Sequence, residues 1–330
     1  MRDLPSINQV AAMAGVSIAT VSRVLNQSKP VNAETRDRVE QAVAALGYRA
    51  NAAGRSLAKA RSHLLLVLVP DFANPFYAQI VQGVESVARP QGYKILLTDT
   101  TEGEAHHGTA LDALYKRLAD GVISLAHLDD DPALIDEVRL LPWVSCSEFL
   151  PESGVPYVSI DHRQAAIDAV QYLLNRGHRR IALIAADATY RWARLRREGY
   201  ALALSRAGLA LDAALIRTAQ DTDYAAGSQA AGGLLALVDA PTAVVAVSDT
   251  LAIGAIKALR RAGRRVPEDI AVMGFDNLPL SAVFEPALTT VGQPMRELGA
   301  AAAEMLLQRL AGATPASRTL AHQLVLRDSA

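Results

Sequence analysis

Residues 6–26 read Ser-Ile-Asn-Gln-Val-Ala-Ala-Met-Ala-Gly-Val-Ser-Ile-Ala-Thr-Val-Ser-Arg-Val-Leu-Asn, an order that spells two short helices and the turn between them. Ser6 and Gln9 have the spacing of a capping box, in which side chain and backbone satisfy each other at a helix start. Val10, Ala11 and Ala14 then share one face, and Gly15 suits a left-handed stop. Ser17 is placed to cap a second helix from Ile18 to about Asn26. Val21, Val24 and Leu25 lie on one side of it, while Ile18, Ala19, Ser22, Arg23 and Asn26 fall within about 140° on the other. A third helix is expected from Ala33, after the cap candidate Asn32, to Leu46, with Val39, Val43 and Leu46 inward and Gly47 ending it. Two short helices joined by a tight turn and buttressed by a third make a helix-turn-helix module. Such a module lays its second helix in the major groove of DNA.

The outward side of that second helix carries chemistry suited to the groove. Arg23 can donate two hydrogen bonds to guanine O6 and N7, and Ile18 and Ala19 suit packing on thymine methyls. Ser17, Thr20, Ser22 and Asn26 are short polar groups within reach of phosphates or base edges. Charge agrees with this reading. Residues 1–61 hold nine Lys or Arg against four acids, a net +5 on a chain whose total is −1. A basic head on an acidic body points to a polyanion-binding module attached to something else.

The whole chain has 330 residues, enough for two to three domains at about 150 residues each. Its composition of 51% hydrophobic and 20% charged residues can bury a large core, which excludes wholesale disorder and collagen-like structure. No apolar run approaches the roughly 18–20 residues of a membrane span, and the start lacks the pattern of a secretory signal, so a cytoplasmic protein with no membrane partner is expected. The single cysteine, Cys146, forbids an intrachain disulfide and a multi-cysteine zinc site, and it reads as a buried thiol. Neither a metal nor a cofactor is expected.

These residues resemble the head of the lactose/galactose repressor (LacI/GalR) family of transcription regulators. The likeness runs for about 50 residues and includes the Ala14-Gly15-Val16-Ser17 and Thr20-Val21-Ser22-Arg23-Val24-Leu25-Asn26 core, Val31, Thr35-Arg36 and Gly47-Tyr48. The resemblance implies that Ile18, Ala19 and Arg23 read bases. It further implies that the segment 51–57 becomes a short hinge helix on DNA, inserting Leu57 into the minor groove and bending the duplex. Seven residues are too few to be helical alone, and Gly54 weakens the segment further, so order is expected only on operator. Dimerisation through the body would match a pseudo-palindromic operator.

From residue 64 onward strands and helices alternate, which implies parallel sheets covered on both faces. Strands are expected at 64–69, 94–98, 121–125, 143–146, 158–160, 181–185, 215–219, 243–247 and 270–275. The fold class is thus an all-α helix-turn-helix head on an α/β body of two doubly wound subdomains, resembling periplasmic binding proteins of type I. The expected divisions are 1–50 for the head, 51–63 for hinge and linker, 64–161 with 292–330 for the first subdomain, and 162–291 for the second. A last helix at 295–310 and a strand at 322–326 are both expected to return to the first subdomain. Family markers run through this body at Asn74-Pro75-Phe76-Tyr77, Arg176-Gly177-His178-Arg179-Arg180-Ile181, Val266-Pro267-Glu268-Asp269-Ile270 and Gly274-Phe275-Asp276-Asn277.

In open parallel sheets, ligands bind beyond the carboxyl ends of the strands, here the cleft between subdomains. Asp276 arrives there on a strand, with a carboxylate that can accept from neighbouring hydroxyls. The resemblance places Tyr77, His127, Asp161 and Arg196 at effector-contacting positions, while Asp249 reads as a helix cap. Within the family, Ser147-Glu148-Phe149, Asp276-Asn277 and the Asp71–Tyr77 run look most like the cytidine-repressor, nucleoside-sensing branch. Where that branch has an aromatic, this chain has Thr222, so a sugar stays open beside a nucleoside. An enzyme is disfavoured because no P-loop, nucleophile elbow or zinc-protease motif is present, and His106-His107 read as an exposed pair. A transport binding protein would share the body without the DNA-reading head. Whether effector releases DNA or tightens the grip on it is not legible in the residues.

Overall fold

The structure, a computed structural model, describes residues 5–26, 29–48, 61–100, 105–128 and 131–330. The chain divides into two compact units, 1–62 and 63–330.

The first unit contains α1 (Ile7–Ala14), α2 (Ile18–Asn26) and α3 (Ala33–Leu46). The capping box forms, with Ser6 accepting from Gln9 N–H while the Gln9 side chain accepts from Ser6 N–H at 2.7 Å. Gly15 and Gly47 both take the left-handed conformation that ends a helix, with φ of 64° and 60°. Asn32 caps α3 by accepting from Thr35 N–H at 2.8 Å. A small core of Val10, Ala11, Ala14, Val21, Val39 and Ala42 joins the three helices, with Val24, Leu25, Val43 and Leu46 packed at its edge. The hinge segment 51–57, with Leu57, lies outside the described residues.

The second unit holds two six-stranded sheets, ordered β11-β5-β4-β3-β1-β2 and β12-β10-β9-β8-β6-β7. The first is built from β1 (Leu64–Val69), β2 (Lys94–Asp99), β3 (Gly121–Ser124), β4 (Trp143–Cys146), β5 (Tyr157–Ile160) and β11 (Arg318–Leu320), all parallel. Central strands such as β1, Leu-Leu-Leu-Val-Leu-Val, are buried along nearly their whole length because helices cover both faces. Those helices are α4 (Pro75–Ala88), α5 (Ala105–Tyr115), α6 (Pro132–Leu140) and α12 (Met295–Leu310). The backbones of α4 and α12 nearly touch. A Cβ on Gly83 would lie 2.0 Å from Arg296 O, and one on Gly299 would lie 1.9 Å from Ile80 O, so neither position has room for a side chain.

The second sheet is built from β6 (Ile181–Ala185), β7 (Ile216–Thr218), β8 (Ala243–Ala246), β9 (Ala271–Asp276), β10 (Thr289–Gly292) and β12 (Gln323–Val325). It packs with α7 (His162–Asn175), α8 (Arg191–Arg206), α9 (Tyr224–Leu235) and α10 (Asp249–Arg261), and a short α11 (Pro279–Val283) follows β9. The chain passes between the halves three times, between β5 and α7, between β10 and α12, and between β11 and β12. The expected return of 322–326 to the first half is corrected here. Gln323–Val325 pair antiparallel with Thr290–Gly292 in the second sheet, and β11, not anticipated, is what completes the first. No helix among the described residues is long and apolar enough to cross a membrane.

Candidate functional site

The outward side of α2 keeps its side chains available. Ile18 is 50% exposed despite being apolar, and Ala19 and Arg23 are exposed beside it. Ser22 is half-buried, and the side chain of Asn26 lies outside the described residues. Ser17 accepts from Thr20 N–H at 3.2 Å, and the two hydroxyls sit 3.0 Å apart, so both help cap α2 at the end that would face DNA. The opposite side of α2 is fixed by Val21, which is fully buried. The helix is thereby anchored with the expected face outward.

In the second unit, a cavity with an empty volume of about 420 Å³ lies between the two sheets, beyond the carboxyl ends of their strands. At its centre sits Arg196, delivered by α8 and buried. The guanidinium lies 3.5 Å over the Phe275 ring and 4.8 Å from the Trp192 ring centroid. It donates to Val247 O, and its Nε and Nη2 lie 3.4 and 3.3 Å from His162 Nδ1. Burial brings its pKa down to about 10, which leaves it charged at neutral pH. His162 is the mirror case. Burial and the adjacent guanidinium push its pKa well below the usual imidazole range, so it stays neutral. With Nδ1 accepting from Arg196, the proton sits on Nε2, which faces Ser159 Oγ at 3.2 Å, and that hydroxyl donates to Ser147 O at 3.0 Å.

Asp276 ends β9 with φ of 121°, a region a side-chain-bearing residue rarely occupies, and Asn277 follows at 62°. The turn is held from behind. Asp249 accepts from Leu278 N–H at 2.7 Å and from the Ser281 and Thr290 hydroxyls at 2.6 Å each, and Arg327 donates to Asn277 at 2.6 Å. Burial raises the pKa of both Asp249 and Asp276, and the proximity of the two carboxylates adds to the rise for Asp276. Asp276 Oδ1 accepts from Gln293 Nε2 at 2.8 Å and lies 3.8 Å from Arg196 Nη1. Tyr77 closes the wall, with burial pushing its phenol above the ordinary range.

A larger outer chamber, with an empty volume of about 1380 Å³, shares Tyr77, Trp192 and Thr222 with the inner cavity. His127 lines it, with Nδ1 3.3 Å from Glu148 Oε1. Tyr190 and Trp192 stack there with ring centroids 5.8 Å apart.

The structure thus brings together Tyr77, Arg196 and Asp276 in the inner cavity and His127 in the outer one. Asp161 does not join them. It is exposed at the start of α7, which it caps by accepting from Gln164 N–H at 2.9 Å. Asp249 is not the cap of its helix, because Ser248 fills that place and leaves Asp249 buried as the support of the Asp276 turn. His107 is buried rather than exposed, with Nε2 3.1 Å from His127 O, because α5 turns it against Trp143. Cys146 is a buried thiol, its pKa raised by burial. Sequence reasoning missed Trp192 and Gln293 as cavity residues. An aromatic residue one helical turn before a buried arginine was a usable signal for Trp192; Gln293 carried none.

Comparison with known proteins settles the lineage. Residues 6–51 match the model of bacterial regulatory proteins of the lacI family, and residues 170–330 match a periplasmic binding protein-like domain. The transcriptional repressor CytR of Escherichia coli is 38% identical over 98% of this chain and 96% of its own. The chain belongs to the LacI family. The LacI-family regulator CelR of Thermobifida fusca is 37% identical over 99% of both chains. Among solved structures, the lac repressor dimer bound to operator and the anti-inducer ONPF superposes with a TM-score of 0.87 at 30% identity over 99% of both chains. A CelR–cellobiose complex does so at 0.76 and 36% identity, covering 99% of this chain and all of that one. As a LacI-family member the chain is a transcriptional regulator, not an enzyme, with a DNA-binding head and an effector-binding body.

Proposed function

We propose that this regulator acts in the cytoplasm as a homodimer that represses from a pseudo-palindromic operator and senses a nucleoside. In this reading Ile18, Ala19 and Arg23 read bases, and Ser17, Thr20, Ser22 and Asn26 hold the phosphates and base edges around them. Leu57 in the hinge segment wedges into the minor groove. The observation that carries the effector reading is the buried Asp276–Gln293–Arg196 cluster beside three aromatic rings, Tyr77, Tyr190 and Trp192. The cluster suits ribose hydroxyls, and the rings supply the flat wall that Thr222 does not. Similarity to CytR favours a nucleoside, and similarity to a CelR–cellobiose complex keeps a sugar as the second reading.

The test is operator binding followed by fluorescence anisotropy on a site selected from random duplexes, titrated with nucleosides and with sugars. A nucleoside that shifts operator affinity, and an Asp276→Ala variant that binds operator but no longer responds, are the expected results. A response to sugars alone would favour the second reading. Operator affinity and effector affinity are coupled reciprocally, typically by about 1–3 kcal/mol.

A further inference from the structure

We infer that the effector cleft discriminates against phosphorylated ligands, taking an uncharged or cationic compound with a hydroxyl-bearing end and a flat ring. The inference rests on reading the cleft as the effector site.

The lining charges are lopsided. The outer chamber carries Asp71, Asp187, Asp221 and Asp223, and no lysine or arginine is among its described lining residues. Inside, Glu148 and Asp276 face the single guanidinium of Arg196. That guanidinium is partly engaged already. Val247 O and His162 engage three of its five N–H donors, Phe275 and Trp192 lie against its faces, and the Asp276 carboxyl lies 3.8 Å away, which leaves two N–H groups for neutral hydroxyls.

Three of the four outer carboxylates are built into the walls. Asp71 accepts from Ala73 N–H, Asp187 from Thr189 N–H and Asp223 from Ala226 N–H, each at 2.7 Å. The bonds from Thr189 hold Asp187 below the usual carboxylate range. A cleft lined with one sign of charge focuses its field on whatever enters. A phosphate dianion moving in would meet several like charges in the outer chamber and find no cation there to pair with.

The inner end points the same way by hydrogen bonding. Gln293 is 6% exposed and spends its Nε2 on Asp276, while its buried Oε1 has no hydrogen-bond partner. A buried acceptor without a partner is costly, so the cavity calls for a donor. A sugar hydroxyl or an amine supplies one, and a phosphate dianion offers only acceptors. Tyr77, Tyr190 and Trp192 then present aromatic surface to the flat part of the ligand in the outer chamber.

The test is calorimetry on the full chain with matched pairs: cytidine and cytidine 5′-monophosphate, adenosine and its monophosphate, ribose and ribose 5-phosphate, glucose and glucose 6-phosphate. The unphosphorylated member of a binding pair should be tighter by at least about tenfold. That gap should narrow as salt rises and in the double variant Asp187→Asn/Asp221→Asn. An ester that binds as tightly as its parent, a gap indifferent to both salt and the variant, or a panel in which no unphosphorylated member binds would overturn the inference. Binding that obeys this selection yet leaves operator affinity unchanged would instead overturn the regulator reading of the cleft.

Discussion

Glu148, in the first half of the body, accepts a hydrogen bond from the backbone N–H of Arg191 in the second half, at 2.8 Å. Trp192 N–H lies 3.3 Å from the other carboxylate oxygen, so one side chain spans the cleft and occupies the start of α8. An anion at a helix N-terminus meets both unpaired N–H groups and the positive end of the helix dipole.

Glu148→Ala should therefore loosen the two halves. Hydrogen bonds to a charged group contribute about 1.5–3 kcal/mol, and the variant leaves two helix donors without their acceptor. The expected outcome is a lower melting temperature and a larger radius of gyration by solution scattering. An unchanged scattering profile would show that other contacts hold the cleft closed.

Arg23→Ala should relax operator specificity at one base position. A bidentate contact to guanine discriminates by roughly 1–3 kcal/mol, whereas a phosphate contact weakens all sequences alike. Binding measured on the best site and on scrambled duplex separates the two. An equal loss on both would assign Arg23 to the backbone.

Gly299→Ala should destabilise the first half far beyond the usual glycine-to-alanine gain in a helix. The new Cβ would overlap Ile80 O, and relieving that overlap moves α12 off α4 at a cost of about 1–3 kcal/mol or more. Gly312→Ala, a change in open space after α12 at φ of 87°, is the comparison, because its cost is local backbone strain alone. Chemical denaturation should rank Gly299→Ala as the worse of the two.

The buried His162 gives stability a pH dependence with a definite sign. Unfolded, the imidazole takes up a proton near pH 6.5, while in the fold it stays neutral well below that. The unfolded state then binds more protons, so this contribution is present above about pH 6.5 and is lost as the pH falls. Asp249 and Asp276, raised by burial, act in the opposite direction and lose stability as the pH rises. Comparing the wild type with His162→Asn isolates the histidine. The melting temperature of the wild type should fall more than that of the variant between pH 7.5 and pH 5.5, and parallel curves would remove His162 as the cause.

Most of the fold was legible because its signals are local. The Ser6–Gln9 capping box, Gly15, Asn32 and Gly47 each specify a helix end within four residues, and all four do so in the structure. Strands such as Leu64–Val69 announce themselves as short apolar runs. The strand Thr289–Gly292 was missed because four residues closed in by Pro286 and Pro294 give too little pattern to read. The partner of Gln323–Val325 was misjudged because strand pairing is a long-range choice that no periodicity records. The same divide runs through the cavity. Asp276 stands in a family motif and Arg196 at a position the resemblance implies, whereas the buried role of Asp249 depends on Leu278, Ser281 and Thr290, which only the folded turn gathers.

The placement of α12 sets the order in which the body can mature on the ribosome. Met295, Leu298, Met305 and Leu306 belong to the core of the first half, yet they are translated after almost all of the second. Until they emerge, the apolar side of α4, with Ile80 and Val84, has the strands of its sheet but not the helix that completes its core. A nascent chain would thus carry an unfinished front half through most of its synthesis. Chaperone demand should peak late in translation, while the part made first waits for its missing helix.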